Sequence, residues 1–182
     1  MSLPHLILGL LEDMPMSGYD LNKAFAQGVQ HFWTVDQSQI YRTLYKLDEQ
    51  GKVRVELVKQ TDNPDKKVYH ITDDGREMLD AWLRAPIPQT PAREGWLGQL
   101  HFGDSMTNED IIALMQAYRD EVNISYQTLY QLKEQILGRI GTKKIPRKYR
   151  LRLITLDYGI DVMAFHLQWF DQHMDIIQQL ED

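Results

Sequence analysis

In the stretch SQIYRTLYKLDEQGKV, residues 38–53, Arg42 and Lys46 stand four residues apart and Gln39 precedes Arg42 by three. At about 100° per residue this spacing puts Ser38, Arg42, Tyr45 and Lys46 on one side of a helix, with Gln39 at its margin. Ile40, Leu44 and Leu47 then form a narrow apolar stripe on the other side. The polar row is suited to hydrogen-bond readout and anion contact. An arginine fork can bond guanine O6 and N7, a glutamine carboxamide can bond adenine in the same two-pronged way, and a lysine suits a phosphate.

No constellation for bond-making chemistry accompanies it. The serines lack a neighbouring histidine and a glycine-rich elbow, and neither a glycine-rich phosphate loop nor a paired-carboxylate motif occurs. The chain has no cysteine, and its six histidines (5, 31, 70, 101, 166 and 173) offer no His-x-x-x-His pair. The reading is a protein that is not an enzyme and that uses no metal or cofactor. The most basic stretch, KKIPRKYRLR at 143–152, has six cations and no acid. A second DNA contact is one reading; a solvated linker and helix start around Pro146 is the preferred one.

The polar row needs elements to hold it. Leu3 to Glu12 has the pattern of a first helix, with Leu6, Ile7, Leu10 and Leu11 to one side. Ser17 can cap a second, whose face is Leu21, Ala24 and Phe25 and which ends at Gly28. Asp36 and Gln39 have capping-box spacing at the start of the third. After Gly51, VRVELV alternates with period two, QTDNPDKK supplies turn residues, and VYHIT returns as a second strand. Thr72 caps a further helix with Asp73 and Asp74 in its first turn and a seam of Gly75, Leu79, Trp82 and Leu83.

Pro86, Pro88 and Pro91 break the pattern and mark a boundary. Beyond it, from Thr107, apolar positions step by four and three from Ile111 to Ile136, with only Ser125 polar. The last helix carries one such stripe through Leu153, Leu156, Ile160, Met163, Leu167, Phe170 and Met174, and a second through Leu151, Ile154, Tyr158, Phe165 and Trp169. A mean step of about 3.5 is the coiled-coil repeat. One stripe can pair with the helix at 107–137, and a two-fold dimer would cover the other.

Composition sets bounds on all this. With 43% hydrophobic residues over 182 positions the chain can bury a core. The net charge of −6 argues against a polyanionic partner, yet residues 38–67 hold seven Lys/Arg against five acids. A locally basic face on an acidic protein is the result. The short apolar start meets Glu12 and Asp13 before it could act as a leader, and no run reaches the length of a membrane span. A soluble, cytoplasmic protein with no membrane contact is expected.

Three helices followed by a hairpin is the order of a winged helix-turn-helix. SLPHLILGLLE, SGYDL, FWTVDQSQIYRTLYKLDEQGKV and NPDKKVYHITDDGREML resemble the PadR transcriptional regulators, in particular those with a virulence-activator C-terminal region. The resemblance covers nearly all of residues 2–83, with fainter echoes in TPAREGWLGQLHF and FHLQWF. It departs at the wing, where relatives often carry a glycine before Pro64-Asp65 and this chain has Asp62 and Asn63.

The expected fold is therefore mainly α: a winged helix-turn-helix of three helices and a β-hairpin wing in 1–85, a Pro-rich linker and short helix in 86–106, and a coiled-coil-like helical dimerisation domain in 107–182. The expected function is a homodimeric transcriptional regulator, often a repressor and sometimes an activator in this family, bound to an inverted-repeat double-stranded DNA operator. Ser38, Gln39, Tyr41, Arg42, Lys46, Lys66 and Lys67 are the expected DNA contacts, and the seven-residue stripe from Leu153 to Met174 is assigned to dimerisation. Tyr19 and Tyr41 border core positions and could equally pack there. Trp33, Trp96, Phe102 and Trp169 could line a pocket for a small aromatic effector, a ligand class known for some relatives, or could simply fill cores. The alternative is a winged helix used as a protein-interaction module without direct DNA readout.

Overall fold

The computed structural model describes residues 2–59, 65–88, 94–140 and 144–180, which fall into two compact units, Met1–Gln89 and Thr90–Asp182. The first contains α1 (Leu3–Asp13), β1 (Met16–Ser17), α2 (Gly18–Gly28), α3 (Gln37–Glu49), β2 (Val53–Val58), β3 (Lys66–Ile71) and α4 (Asp73–Arg84). Its sheet has the order β1-β3-β2, antiparallel throughout, with Val53 opposite Ile71 and Ser17 opposite Val68.

Three of the four helices of the first unit start where a side chain satisfies free backbone donors, and α1 starts instead with Pro4 in its first turn. The Ser17 hydroxyl accepts from the Asp20 N–H at 3.2 Å while the Asp20 carboxylate accepts from Ser17 N–H, a capping box that opens α2. The same reciprocal pair, Asp36 and Gln39, opens α3. Thr72 Oγ1 accepts from Gly75 N–H at 3.1 Å and donates to the Gly51 carbonyl at 2.7 Å, tying the start of α4 to the turn after α3. Gly51 adopts φ +66°, a left-handed conformation that glycine takes without Cβ strain, and this lets α3 end and β2 begin within four residues.

The core is built from Ile7, Leu8 and Leu11 of α1, Leu21 and Phe25 of α2, Ile40, Leu44 and Leu47 of α3, Val53 and Ile71 of the hairpin and Leu79 of α4. Burying each large aliphatic side chain contributes about 1.5–3 kcal/mol, so the α3 stripe alone commits that helix to one orientation. Leu83, expected in the α4 seam, is instead exposed, because the seam turns away from the core in the last turn.

The second unit contains α5 (Gly95–His101), a 3₁₀ turn (Gly103–Ser105), α6 (Asn108–Ile140) and α7 (Arg147–Ile177). The short helix expected within a linker belongs here: Trp96 and Leu100 of α5 pack on Met115, Phe170 and Ile177. Thr107 Oγ1 accepts from Asp110 N–H at 3.2 Å at the start of α6. α6 and α7 run antiparallel, and Arg119–Asp171 and Lys133–Asp157 lie fourteen residues apart on each helix, both in the same register. Fourteen residues is two heptads, so both ion pairs fall on one side of the seam. No helix among the described residues is long and apolar enough to cross a membrane.

Candidate nucleic-acid interface

With Ile40, Leu44 and Leu47 fully buried, the other side of α3 is held outward without needing any contact of its own. Ser38, Gln39, Arg42, Tyr45 and Lys46 are exposed along it. Its first turn is pre-ordered by a chain of hydrogen bonds. Arg42 Nε donates to the Ser38 carbonyl at 3.3 Å and Nη2 to Ser38 Oγ at 3.2 Å, while Ser38 Oγ donates to Asp36 Oδ1 at 2.6 Å. The Ser38 hydroxyl, followed by the Gln39 N–H, holds the Asp36 carboxyl below its ordinary value, so the cap stays charged at neutral pH. Arg42 thus lies over the start of its own helix.

Gln39 has a second occupation that its position in the polar row does not reveal. Its Oε1 accepts from Asp36 N–H at 3.3 Å as half of the capping box, so its acceptor is already used. Readout of adenine by Gln39 would sacrifice that bond.

Tyr41 and Tyr19 stay outside the core: they are 42% and 69% exposed. Tyr41 is nevertheless seated, because Gly18 at the start of α2 leaves room for its ring; a Cβ there would come within 2.7 Å of Tyr41 Cζ. Behind it, burial and then the nearby Asp48 carboxylate push the Tyr69 phenol up. The Tyr45 phenol is also raised, by the Glu49 carboxylate that accepts its hydrogen bond.

The wing brings its two lysines to different situations. Lys66 Nζ is 2.8 Å from Asp20 Oδ2, and this contact, with the Ser17 hydroxyl at 2.7 Å, holds the Asp20 carboxyl below its ordinary value. Lys67 is exposed. The intervening wing residues 60–64, with Asp62, Asn63 and Pro64 of the motif, lie outside the described residues, as do Pro91 and Lys143. On the outer face of the hairpin, Arg54 Nη2 meets His70 Nδ1 at 3.3 Å and Glu56 lies 2.8 Å from His70 Nε2, a cross-strand group that the sequence pattern did not single out.

In the helical unit, Leu153, Leu156, Ile160 and Phe170 of the stripe assigned to dimerisation are already buried within the chain, with Met163, Leu167 and Met174 half-buried beside them. The uncovered stripe is the other one: Leu151, Ile154, Tyr158 and Phe165 are all at least half exposed. Four aromatics are considered for one effector pocket. Trp33 packs in the first unit, Phe102 is 80% exposed, and Trp96 and Trp169 meet edge to face at 5.2 Å. Those two line a groove of about 170 Å³ with Leu97, Phe165, His166 and Phe170, smaller than the roughly 300 Å³ and upward usual for drug-sized ligands.

Three helices on an antiparallel hairpin, with the third helix buried on one side and polar and exposed on the other, define a winged helix-turn-helix. Residues 7–81 match the profile of the transcriptional regulator PadR-like family, and residues 92–178 that of the virulence activator alpha C-terminal region. A "Probable transcriptional regulator" of Mycobacterium tuberculosis is 30% identical over 191 aligned positions, which cover 98% of this chain and 99% of that one. Bacillus subtilis PadR, solved in complex with operator DNA, aligns with a TM-score of 0.82 at 25% identity over 96% of this chain and 97% of its own. A PadR-like regulator from Bacillus cereus gives 0.79 at 26% identity over 97% and 96%. The chain belongs to the PadR-like family of transcriptional regulators. It is a regulator and not an enzyme.

Proposed function

We propose that this chain is a cytoplasmic, homodimeric regulator that reads an inverted-repeat operator with α3 and steadies it with the wing. The observation that carries the reading is the exposed, pre-ordered Asp36–Ser38–Arg42 chain, with Lys46 one turn further along, on a helix whose opposite side is wholly core. Arg42 is assigned to base readout, Ser38, Tyr41, Lys46, Lys66 and Lys67 to backbone, and Gln39 chiefly to holding the helix start. The operator complex of Bacillus subtilis PadR supports the choice of double-stranded DNA as partner.

The dimer is assigned to the uncovered α7 stripe through Leu151, Ile154, Tyr158 and Phe165, because a helix apolar on both sides needs two partners and α6 supplies one. Met163, Leu167 and Met174 lie on the opposite side of α7, half-buried with the first stripe. Two α3 helices would then read half-sites about 34–36 Å apart, one helical turn. Any ligand that altered the angle between the two winged units would break simultaneous engagement, which gives regulation without touching α3. A flat aromatic effector would find its place in the Trp96–Trp169 groove, and titration with hydroxycinnamates should quench tryptophan fluorescence saturably.

Fluorescence anisotropy of the full chain against DNA from upstream of its own gene, at several salt concentrations and beside an unrelated duplex, tests the reading. Specific binding that weakens steeply with salt is expected, since counterions are released from the phosphates. Salt-independent association with a protein, and none with DNA, would establish the interaction-module alternative. Within the DNA reading, Arg42→Ala should cost about 1–3 kcal/mol of discrimination at one base position; an unaltered preference across a set of single-base operator variants would remove Arg42 from readout.

A further inference from the structure

The last stretch of strong charge in the molecule is unused by α3, by the wing or by the α7 stripe. No acid occurs from residue 135 to residue 156, although the chain as a whole is acidic, and seven cations lie there: Arg139, Lys143, Lys144, Arg147, Lys148, Arg150 and Arg152. Lys143 lies outside the described residues. The others collect at one end of the helical hairpin. The register set by Arg119–Asp171 and Lys133–Asp157 brings Arg139, in the last turn of α6, level with Leu151, between Arg150 and Arg152 of α7. Cations of both helices thus share one tip.

Two physical features set this cluster apart from an ordinary solvated face. The side chains of Lys144, Arg147 and Arg150 are exposed and make no ion pair or hydrogen bond with any described residue, whereas those of Arg119 and Lys133 in the same unit are both paired to aspartates of α7. Moreover, the first turns of α7 carry only basic charge, where the helix dipole is already positive and acids are normally placed. An anion from outside would relieve the repulsion among Lys144, Arg147 and Arg150.

The form of the cluster selects the anion. The cations are solvent-facing and spread over about 7.5 Å of helix from Arg147 to Arg152, at 1.5 Å per residue, with Lys144 just ahead of it. A single phosphate needs convergent donors; a regularly charged polymer, with one charge per about 1.7 Å of duplex axis, needs an exposed row. Guanidinium and ammonium groups interleaved with the exposed ring of Tyr149 suit a sugar-phosphate backbone. We propose that the α6–α7 tip is a second, sequence-independent nucleic-acid surface that contacts phosphates outside the segment read by α3. The proposal rests on the DNA-binding reading above, and it assigns the tip to affinity and not to specificity.

The test compares the full chain with the triple variant Lys144→Gln, Arg147→Gln, Arg150→Gln on three duplexes: an operator just spanning both half-sites, the same operator extended by a helical turn at each end, and an unrelated duplex of the longer length. The variant should lose about two to three units of the salt slope on the longer duplexes, at about 0.9 per phosphate, while its ratio of operator to unrelated binding stays at the wild-type value. A slope equal to wild type on every duplex overturns the proposal. So does a variant that sediments as a monomer, which would assign the tip to a second copy, or equal protection of the wild-type tip from lysine acetylation by polyglutamate and by DNA, which would assign it to an acidic protein. Should the wild type show no operator preference, the α3 reading fails alone, because the slope difference on the unrelated duplex still reports on the tip.

Discussion

Asp20 and Lys66 show how a single contact can oppose a single function. The 2.8 Å pair places an acid beside one of the two wing lysines proposed to meet phosphate, so in that role Lys66 would have to leave Asp20, or share it. The pair is partly solvated, which limits what it adds to stability. Asp20→Asn keeps the shape of the capping box but removes the competing charge, and should tighten binding to any duplex a few-fold while steepening the salt slope by about one phosphate; an unchanged slope would show that Lys66 never exchanges partners. The carboxyl of Asp20 is held below its ordinary value, chiefly by Lys66. Its stabilising contribution is therefore complete above the unfolded carboxylate range and is lost only as pH falls through the lower folded value. DNA affinity should accordingly show no titration through Asp20 across the neutral range. At this scale Arg42 and Lys46 were legible because surface polarity opposite an apolar stripe is a local pattern. The Lys66 partner was not, since 46 positions separate it from Asp20.

Elements meet where small residues permit it, and Gly18 is such a place. It begins α2 against the ring of Tyr41 on α3, so the seat of α3 depends on one missing methyl group. Gly18→Ala should destabilise the first unit by about 1–3 kcal/mol through overpacking, read as a lowered urea midpoint. Adding Tyr41→Ala should recover part of that loss, because it removes the atoms the new methyl group strikes; strictly additive losses would mean that the two residues are not coupled. The start of α3 could be read from Asp36 and Gln39, since both halves of the box lie within four residues. The two-residue strand Met16–Ser17 could not, because so short a segment has no period and exists only through its pairing with Tyr69 and Val68.

Across the whole molecule, the open question is which apolar faces the chain leaves for a second copy. Ile154→Glu with Tyr158→Glu puts two charges on the uncovered stripe of α7 while leaving its contacts with α6 intact. This variant should keep its helical circular dichroism, sediment at half the wild-type mass, and lose about 10²- to 10⁴-fold in operator affinity as the second half-site ceases to be tethered. A variant that remained dimeric would move the interface away from α7.

Taken alone, the sequence was sufficient for the long helices and the hairpin, for the caps of α2, α3, α4 and α6, for the polar row of α3, and for the presence of two apolar stripes on the last helix. Periodicity, capping and turn chemistry are properties of about ten neighbouring residues, so they can be read without knowing what lies across the core. Which stripe of α7 its own chain covers, the diversion of Gln39 into a cap, the capture of Lys66 by Asp20 and the packing of Trp33 against the core of the first unit were settled only by the tertiary structure. Both stripes of α7 have the same period and similar hydrophobicity, and the choice between them depends on how the side chains of α6, far away in the sequence, interlock with one face and not the other.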